Sequence, residues 1–202
     1  MAMDVAALRH AITAILAELE VEHANLTELD GKIGDGDLGI TLLKAFRELD
    51  RLKDGLPDDL GAALLQAGSA VAKVSSSSFG TLFATGLIAV SKLTRGKTSV
   101  PWSEVPSFLD AVVQAMAARG KSSLGDKTVL DALDAAARAA GSATEPAAMR
   151  EAAARGVDTA IDAFRDKPNK IGRARIFADK TIGLDDPGMV AIKVMIAGLA
   201  RA

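Results

Sequence analysis

The chain contains no cysteine and no tyrosine, and only one Trp and six Phe among its 202 residues. Without thiols it holds no disulfide framework, no thiolate zinc site, no iron–sulfur cluster and no cysteine nucleophile. It also lacks an excess of one charge. Its 24 basic and 26 acidic side chains leave a net charge of -2 and a pI near 5.7. That gives no electrostatic footprint for nucleic acid. No apolar run approaches the ~20 residues that span a bilayer, so no membrane role is expected. The N-terminus does not read as a signal peptide. Asp4 stands where a positive region belongs, and Arg9 and His10 interrupt the apolar stretch. The expectation is a soluble, cytoplasmic protein. Histidine is scarce as well. His10 and His23 lie thirteen residues apart on one helical segment, on different faces, and read as surface or boundary residues. No triad and no histidine pair for a transition metal is visible.

What the chain has in plenty is alanine, close to a fifth of all residues. Alanine, leucine, arginine and glutamate favour helix, whereas strands want β-branched and aromatic side chains. Small alanine faces also let helices approach closely. Start and stop signals divide the chain into about eight helices. The first runs from about Asp4 to Asn25, with Val5, Leu8, Ile12, Ile15 and Leu19 on one face. The second covers about 39–52 and the third 58–73, with Asp58 as a possible cap. The fourth, strongly apolar, covers 81–93. Ser103 and Pro106 open a fifth that ends at Gly120. A sixth covers 128–140, with Gly141 at the C-cap position. A seventh runs from Pro146 to Arg165, and a last one starts at Pro187. No convincing strand and no internal repeat appear. The fold expected is all-α, an antiparallel eight-helix bundle in one domain, residues 1–202.

Residues suited to chemistry fall in four breaks, 30–41, 75–80, 119–128 and 172–188. These follow helices one, three, five and seven. In an up-and-down bundle such connections share one end, which predicts one composite site. In the first break Asp30, Asp35 and Asp37 lie within eight residues, among glycines that let the backbone fold tightly. Three carboxylates held together call for a cation, and oxygen-only ligands suit Mg²⁺ or Ca²⁺. The same residues also fit a solvated turn, with Asp37 as an N-cap, and spacing leaves both readings open. Gly34-x-Gly36-x-x-Gly39 matches the dinucleotide fingerprint in letters, but helix rather than strand precedes it. An EF-hand loop from Asp35 fails at Ile40 and Phe46. Gly96-Lys97-Thr98 and Gly120-Lys121-Ser122 lack the earlier glycine of a P-loop. The serine run 75–78 offers hydroxyls and N–H groups before a helix, a place that favours anions, and fits a linker equally. Gly172-Arg173-Ala174-Arg175 adds positive charge for phosphate, and equally reads as an ordinary solvated loop. The irregular stretch 166–185 is long enough to be functional.

Taken in order, three stretches resemble the L subunit of dihydroxyacetone kinases, a DhaL-type domain. They are Asp30…Gly34-Asp35-Gly36-Asp37-x-Gly39, then Arg119-Gly120-Lys121…Gly125-Asp126-Lys127-Thr128, then Gly172-Arg173-Ala174…Ile182-Gly183…Asp186-Pro187-Gly188. The resemblance covers nearly the whole chain, and the three pieces at matching spacing are specific together. It implies an eight-helix barrel-like bundle with ATP or ADP at one end. Two Mg²⁺ ions would be held by Asp30, Asp35 and Asp37. Nucleotide contacts carry over to Leu38, Gly39, Ile40, Thr41, Ser77, Ser78, Gly120, Val129, Arg173, Asp186, Pro187 and Gly188. Arg173 would stabilise phosphate, and 172–188 would be a lid. The resemblance implies a separate K-type subunit that holds the ketose. It also leaves open two other uses of the same fold. One is a relay with permanently bound ADP, phosphorylated by a phosphotransferase-system protein. The other is a non-catalytic nucleotide-binding regulator. The chain departs from the family pattern at Leu38, usually His, and at Thr41, usually Asn.

Overall fold

The computed structural model describes residues 2–75 and 77–200. Ser76, within the serine run, lies outside the described residues. Eight α-helices carry the described chain: α1 (Val5–Ile33), α2 (Leu38–Leu52), α3 (Leu60–Val74), α4 (Ser78–Leu93), α5 (Val105–Gly120), α6 (Val129–Ala140), α7 (Pro146–Arg165) and α8 (Pro187–Ala200). Each helix packs on the next, and α8 returns to pack on α1, so the eight close into a ring. Short connections make neighbours antiparallel, as expected of such a bundle.

Two apolar clusters fill the ring. One joins α1 to α4 and part of α8, with Leu19, Leu26, Leu42, Leu60 and Val71 almost fully buried. The other joins α5 to α8 around Leu130, Val157 and Met189. Alanine lets the helices come close, as at Ala63, Ala132 and Ala191, which lose all contact with solvent. Gly39 marks the tightest crossing. A Cβ there would lie 2.0 Å from the His23 carbonyl oxygen of α1.

Side chains close several helix starts. Asp4 accepts from the Ala7 N–H at 2.8 Å, and Ser77 accepts from the Gly80 N–H at 3.1 Å. Thr128 and Asp131 form a reciprocal capping box on α6. Other boundaries depart from expectation. The cap of α3 is Asp59, not Asp58; its second oxygen also accepts from the Gly96 N–H at 2.6 Å. Glu104, not Ser103, precedes α5, because residues Trp102–Glu104 form a 3-10 turn. Gly141 stays right-handed at φ -62 and uses none of glycine's freedom.

Two larger differences matter more. The first helix does not stop at Asn25. It continues through the acidic stretch to Ile33, so Asp30 is helical rather than part of a loop. Strand is also present: β1 (Ala2–Asp4) pairs antiparallel with β2 (Ser99–Pro101), Met3 opposite Val100. Three residues are too few for alternation to show, and the pairing partner lies almost a hundred residues away. The stretch 166–185 is partly ordered, with a 3-10 helix over Ala174–Thr181.

Candidate functional site

The four breaks meet at one end of the ring around a cavity of about 480 Å³. Four helices begin there. Their first residues, Leu38, Ser78, Val129 and Pro187, all line the cavity. Helix starts carry unsatisfied N–H groups and the positive end of the dipole, so this end of the ring attracts anions.

Against that positive field stand three acids. Asp30, on the last turn of α1, turns one carboxylate oxygen to the N–H groups of Asp37 and Leu38, at 2.9 and 3.2 Å. That pair of bonds folds the loop back over the helix end. Gly34 is obligatory in it, because a Cβ would sit 2.2 Å from the Asp30 Oδ1. Gly36 takes a left-handed φ of +71 to complete the turn. As a result one carboxylate oxygen each of Asp30, Asp35 and Asp37 falls within 4.8 Å of the others. Asp37 sits at the N-cap position of α2 yet makes no capping bond, so its carboxylate is left for the cluster. Burial, and then the charge of Asp30, push the Asp37 carboxyl above the ordinary carboxylate range. An all-oxygen donor set with surplus negative charge fits a hard divalent cation. Asp35 forms an ion pair with Arg173, which supplies counter-charge from across the cavity.

The opposite wall is the start of α8. Asp186 is buried, accepting from the Met189 N–H at 2.9 Å and from the Asn169 amide at 2.8 Å. Burial pushes its carboxyl up to about 6, against the pull of those bonds and of the nearby Lys127 charge. Gly188 keeps α8 against Val129 of α6, since a Cβ would meet Val129 at 3.3 Å.

Of the residues singled out from sequence, Leu38, Ser77, Ser78, Gly120, Val129, Arg173, Asp186, Pro187 and Gly188 line the cavity with the three aspartates. Gly39, Ile40 and Thr41 do not. Gly39 serves the α1–α2 crossing, Ile40 is exposed, and the buried Thr41 continues α2 through its N–H to the Asp37 carbonyl. Neither histidine reaches the cavity. Sequence reasoning placed Arg119 in a motif and Phe79 in a break without giving either a role, and assigned nothing to Lys127 and Asn169 behind the lining. Lys127 stood in a quoted motif; Asn169 carried no signal.

Comparison with known proteins agrees with this geometry. The family model described as the DAK2 domain matches residues 32–201. An ADP-binding subunit DhaL of a PEP-dependent dihydroxyacetone kinase from Listeria innocua is 34% identical over 64% of this chain and 62% of its own. The corresponding Escherichia coli subunit is 27% identical, covering 90% of this chain and 89% of its own. Human triokinase/FMN cyclase is 33% identical over 88% of this chain, which spans 31% of that enzyme. The crystal structure of the dihydroxyacetone kinase from C. freundii in complex with AMP-PNP and Mg²⁺ superposes with a TM-score of 0.76 at 25% identity. It covers 100% of this chain and 34% of the kinase. The chain therefore spans about a third of the multidomain relatives and more of the subunit-sized ones. It belongs to the DAK2-domain family.

Proposed function

We propose that this chain is a single nucleotide-binding, phosphoryl-transferring domain that serves a small ketose, dihydroxyacetone or a close relative, held on a separate K-type subunit. The observation that carries the reading is the meeting of Asp30, Asp35 and Asp37 beside a cavity bordered by four helix starts. In this reading the three aspartates hold two Mg²⁺ ions, and these supply charge neutralisation for the β- and γ-phosphates of ATP or ADP. The chain's own residues then bind and orient. Ser77, Ser78, Gly120 and the start of α2 contribute N–H groups and hydroxyls near phosphate. Leu38, Val129, Pro187 and Gly188 shape the walls. Arg173, paired with Asp35 across the cavity, would turn to phosphate oxygens if Asp35 held a cation. The segment 172–188 excludes water from above. In this reading the serines and aspartates of the cavity bind, and the hydroxyl that attacks comes from the ketose. The setting is cytoplasmic, where nucleoside triphosphate is supplied.

A second reading has a specific support. Relatives from Listeria innocua and Escherichia coli are named as ADP-binding subunits of PEP-dependent dihydroxyacetone kinases. In that reading ADP stays bound and a phosphotransferase-system protein phosphorylates it. The two are separated by giving the purified chain a K-type partner, ketose and either ATP or a phosphorylated donor protein. Multiple turnovers with ATP and exchange of bound ADP establish the kinase. Turnover only with the protein donor, with ADP surviving dialysis, establishes the relay. Nucleotide binding with no transfer from either donor reduces the chain to a regulator.

A further inference from the structure

Lys127 is the largest side chain hidden from solvent in the described structure, at 1% exposure. It lies just before α6 in a left-handed conformation, φ +60, which a residue with a Cβ rarely adopts. Its ammonium group makes no direct bond to a carboxylate. It donates instead to three backbone carbonyls, those of Arg165, Lys167 and Thr181, at 3.0, 2.7 and 2.9 Å. An ammonium has three N–H donors, and all three are used. The acceptors sit at the two ends of one excursion, the chain that leaves α7 and returns at the end of the 3-10 helix.

The same knot has further strands. The Asn169 amide joins the Lys127 carbonyl at 2.7 Å to the Asp186 carboxylate at 2.8 Å. The Asn169 N–H reaches the Thr181 hydroxyl at 2.9 Å, and that hydroxyl donates to the Ala178 carbonyl at 2.8 Å. Ala178 is itself held at φ 48, ψ -125, outside the helical region of its neighbours. Beyond this base the tip is exposed: Arg173, Arg175 and Lys180 face solvent, and Ile176 is 79% exposed. The tip meets the rest of the ring through Arg173 on Asp35.

We infer that Lys127 is a positioning residue. By closing the two ends of 165–181 on one buried ammonium group, it aims Arg173 across the cavity at the acidic cluster. The consequence for nucleotide release rests on the reading above; the anchoring of the segment does not. Burial lowers the Lys127 pKa, and the charges of Asp186, Asp185 and Asp166 oppose that.

The test is Lys127→Met, similar in length and unable to donate. Limited trypsin digestion of the nucleotide-free chain, well below the melting temperature, is followed by mass spectrometry of the fragments. Anchoring predicts cleavage after Arg173, Arg175 and Lys180 at least about tenfold faster than in the parent, with sites in α1 to α8 unchanged. Release of ADP in the presence of Mg²⁺ should accelerate by about the same factor. Lid cleavage unchanged in a folded variant, or cleavage rising equally in every helix, overturns the inference. If the parent binds no nucleotide, the functional reading fails while the digestion still decides the anchor. If Lys127→Met does not fold, Lys127→Gln carries the test, since its amide can supply at most two of the three N–H bonds. Unchanged lid cleavage in that variant overturns the inference too.

Discussion

Ionised Asp37 is held at a cost when no cation accompanies it. Asp37 is pushed up by burial and by Asp30, so its ionised form destabilises the fold until a cation arrives. Asp37→Asn should therefore melt slightly higher than the parent in EDTA at neutral pH, since Asp37 caps nothing that would be lost. In Mg²⁺ and ADP at about a hundred times Kd, the parent should gain about 2.7 kcal/mol by mass action and the variant almost none. Calorimetry in both conditions checks this; a variant that keeps the full gain contradicts it. Asp186 offers a second test through pH. Its folded carboxyl titrates at about 6 against 3.8 for the free group. The folded state thus holds the proton more tightly, and stability falls as pH rises through that window. Relative to Asp186→Asn, the parent should lose stability between about pH 4 and pH 6 with a slope of at most about 1.4 kcal/mol per unit, then run parallel above. Urea denaturation of both proteins across pH 4 to 8 measures it. A difference that moves the other way rejects the buried, proton-holding carboxyl.

Helices were legible in the sequence because their apolar periodicity and caps are local. The starts of α6, α7 and α8 at Thr128, Pro146 and Pro187 each follow from a cap or a first-turn proline. Where expectation failed, a distant contact decided. Asp30 looked like loop because glycines surround it, yet α1 continues since Leu26 and Ile33 both find buried seats. The β1–β2 pair depends on residues far apart in the chain. Gly39 read as part of a nucleotide loop, whereas its structural demand is the crossing of α1 and α2. Gly39→Ala should cost about 3 kcal/mol or more, because the clash is with backbone rather than with a movable side chain. Chemical denaturation gives that number, and a cost below about 0.5 kcal/mol would show that the two helices separate freely.

At the scale of the whole molecule, topology explains why so much of the cavity lining could be foreseen. An up-and-down ring of eight sends every second connection to one end, and the four breaks richest in Asp, Ser, Gly and Arg are those connections. The aspartates, the serines, Arg173 and the Asp186-Pro187-Gly188 turn were visible for that reason. That Phe79 and Arg119, both within those breaks, turn toward the cavity was not visible, because such a turn is set by helix rotation in the assembled ring. The knot at Lys127 was hidden because its partners are backbone carbonyls, which leave no mark in a sequence.

The most direct test of the account is ADP binding by titration calorimetry, with and without Mg²⁺, to the parent and to Asp35→Asn. Binding that requires Mg²⁺ in the parent and weakens by about a hundredfold or more in the variant, a loss near 2.7 kcal/mol, is the predicted result. Equal binding in EDTA, or full Mg²⁺-dependent affinity in the variant, would contradict the claim that the three aspartates hold the metal on which the nucleotide sits.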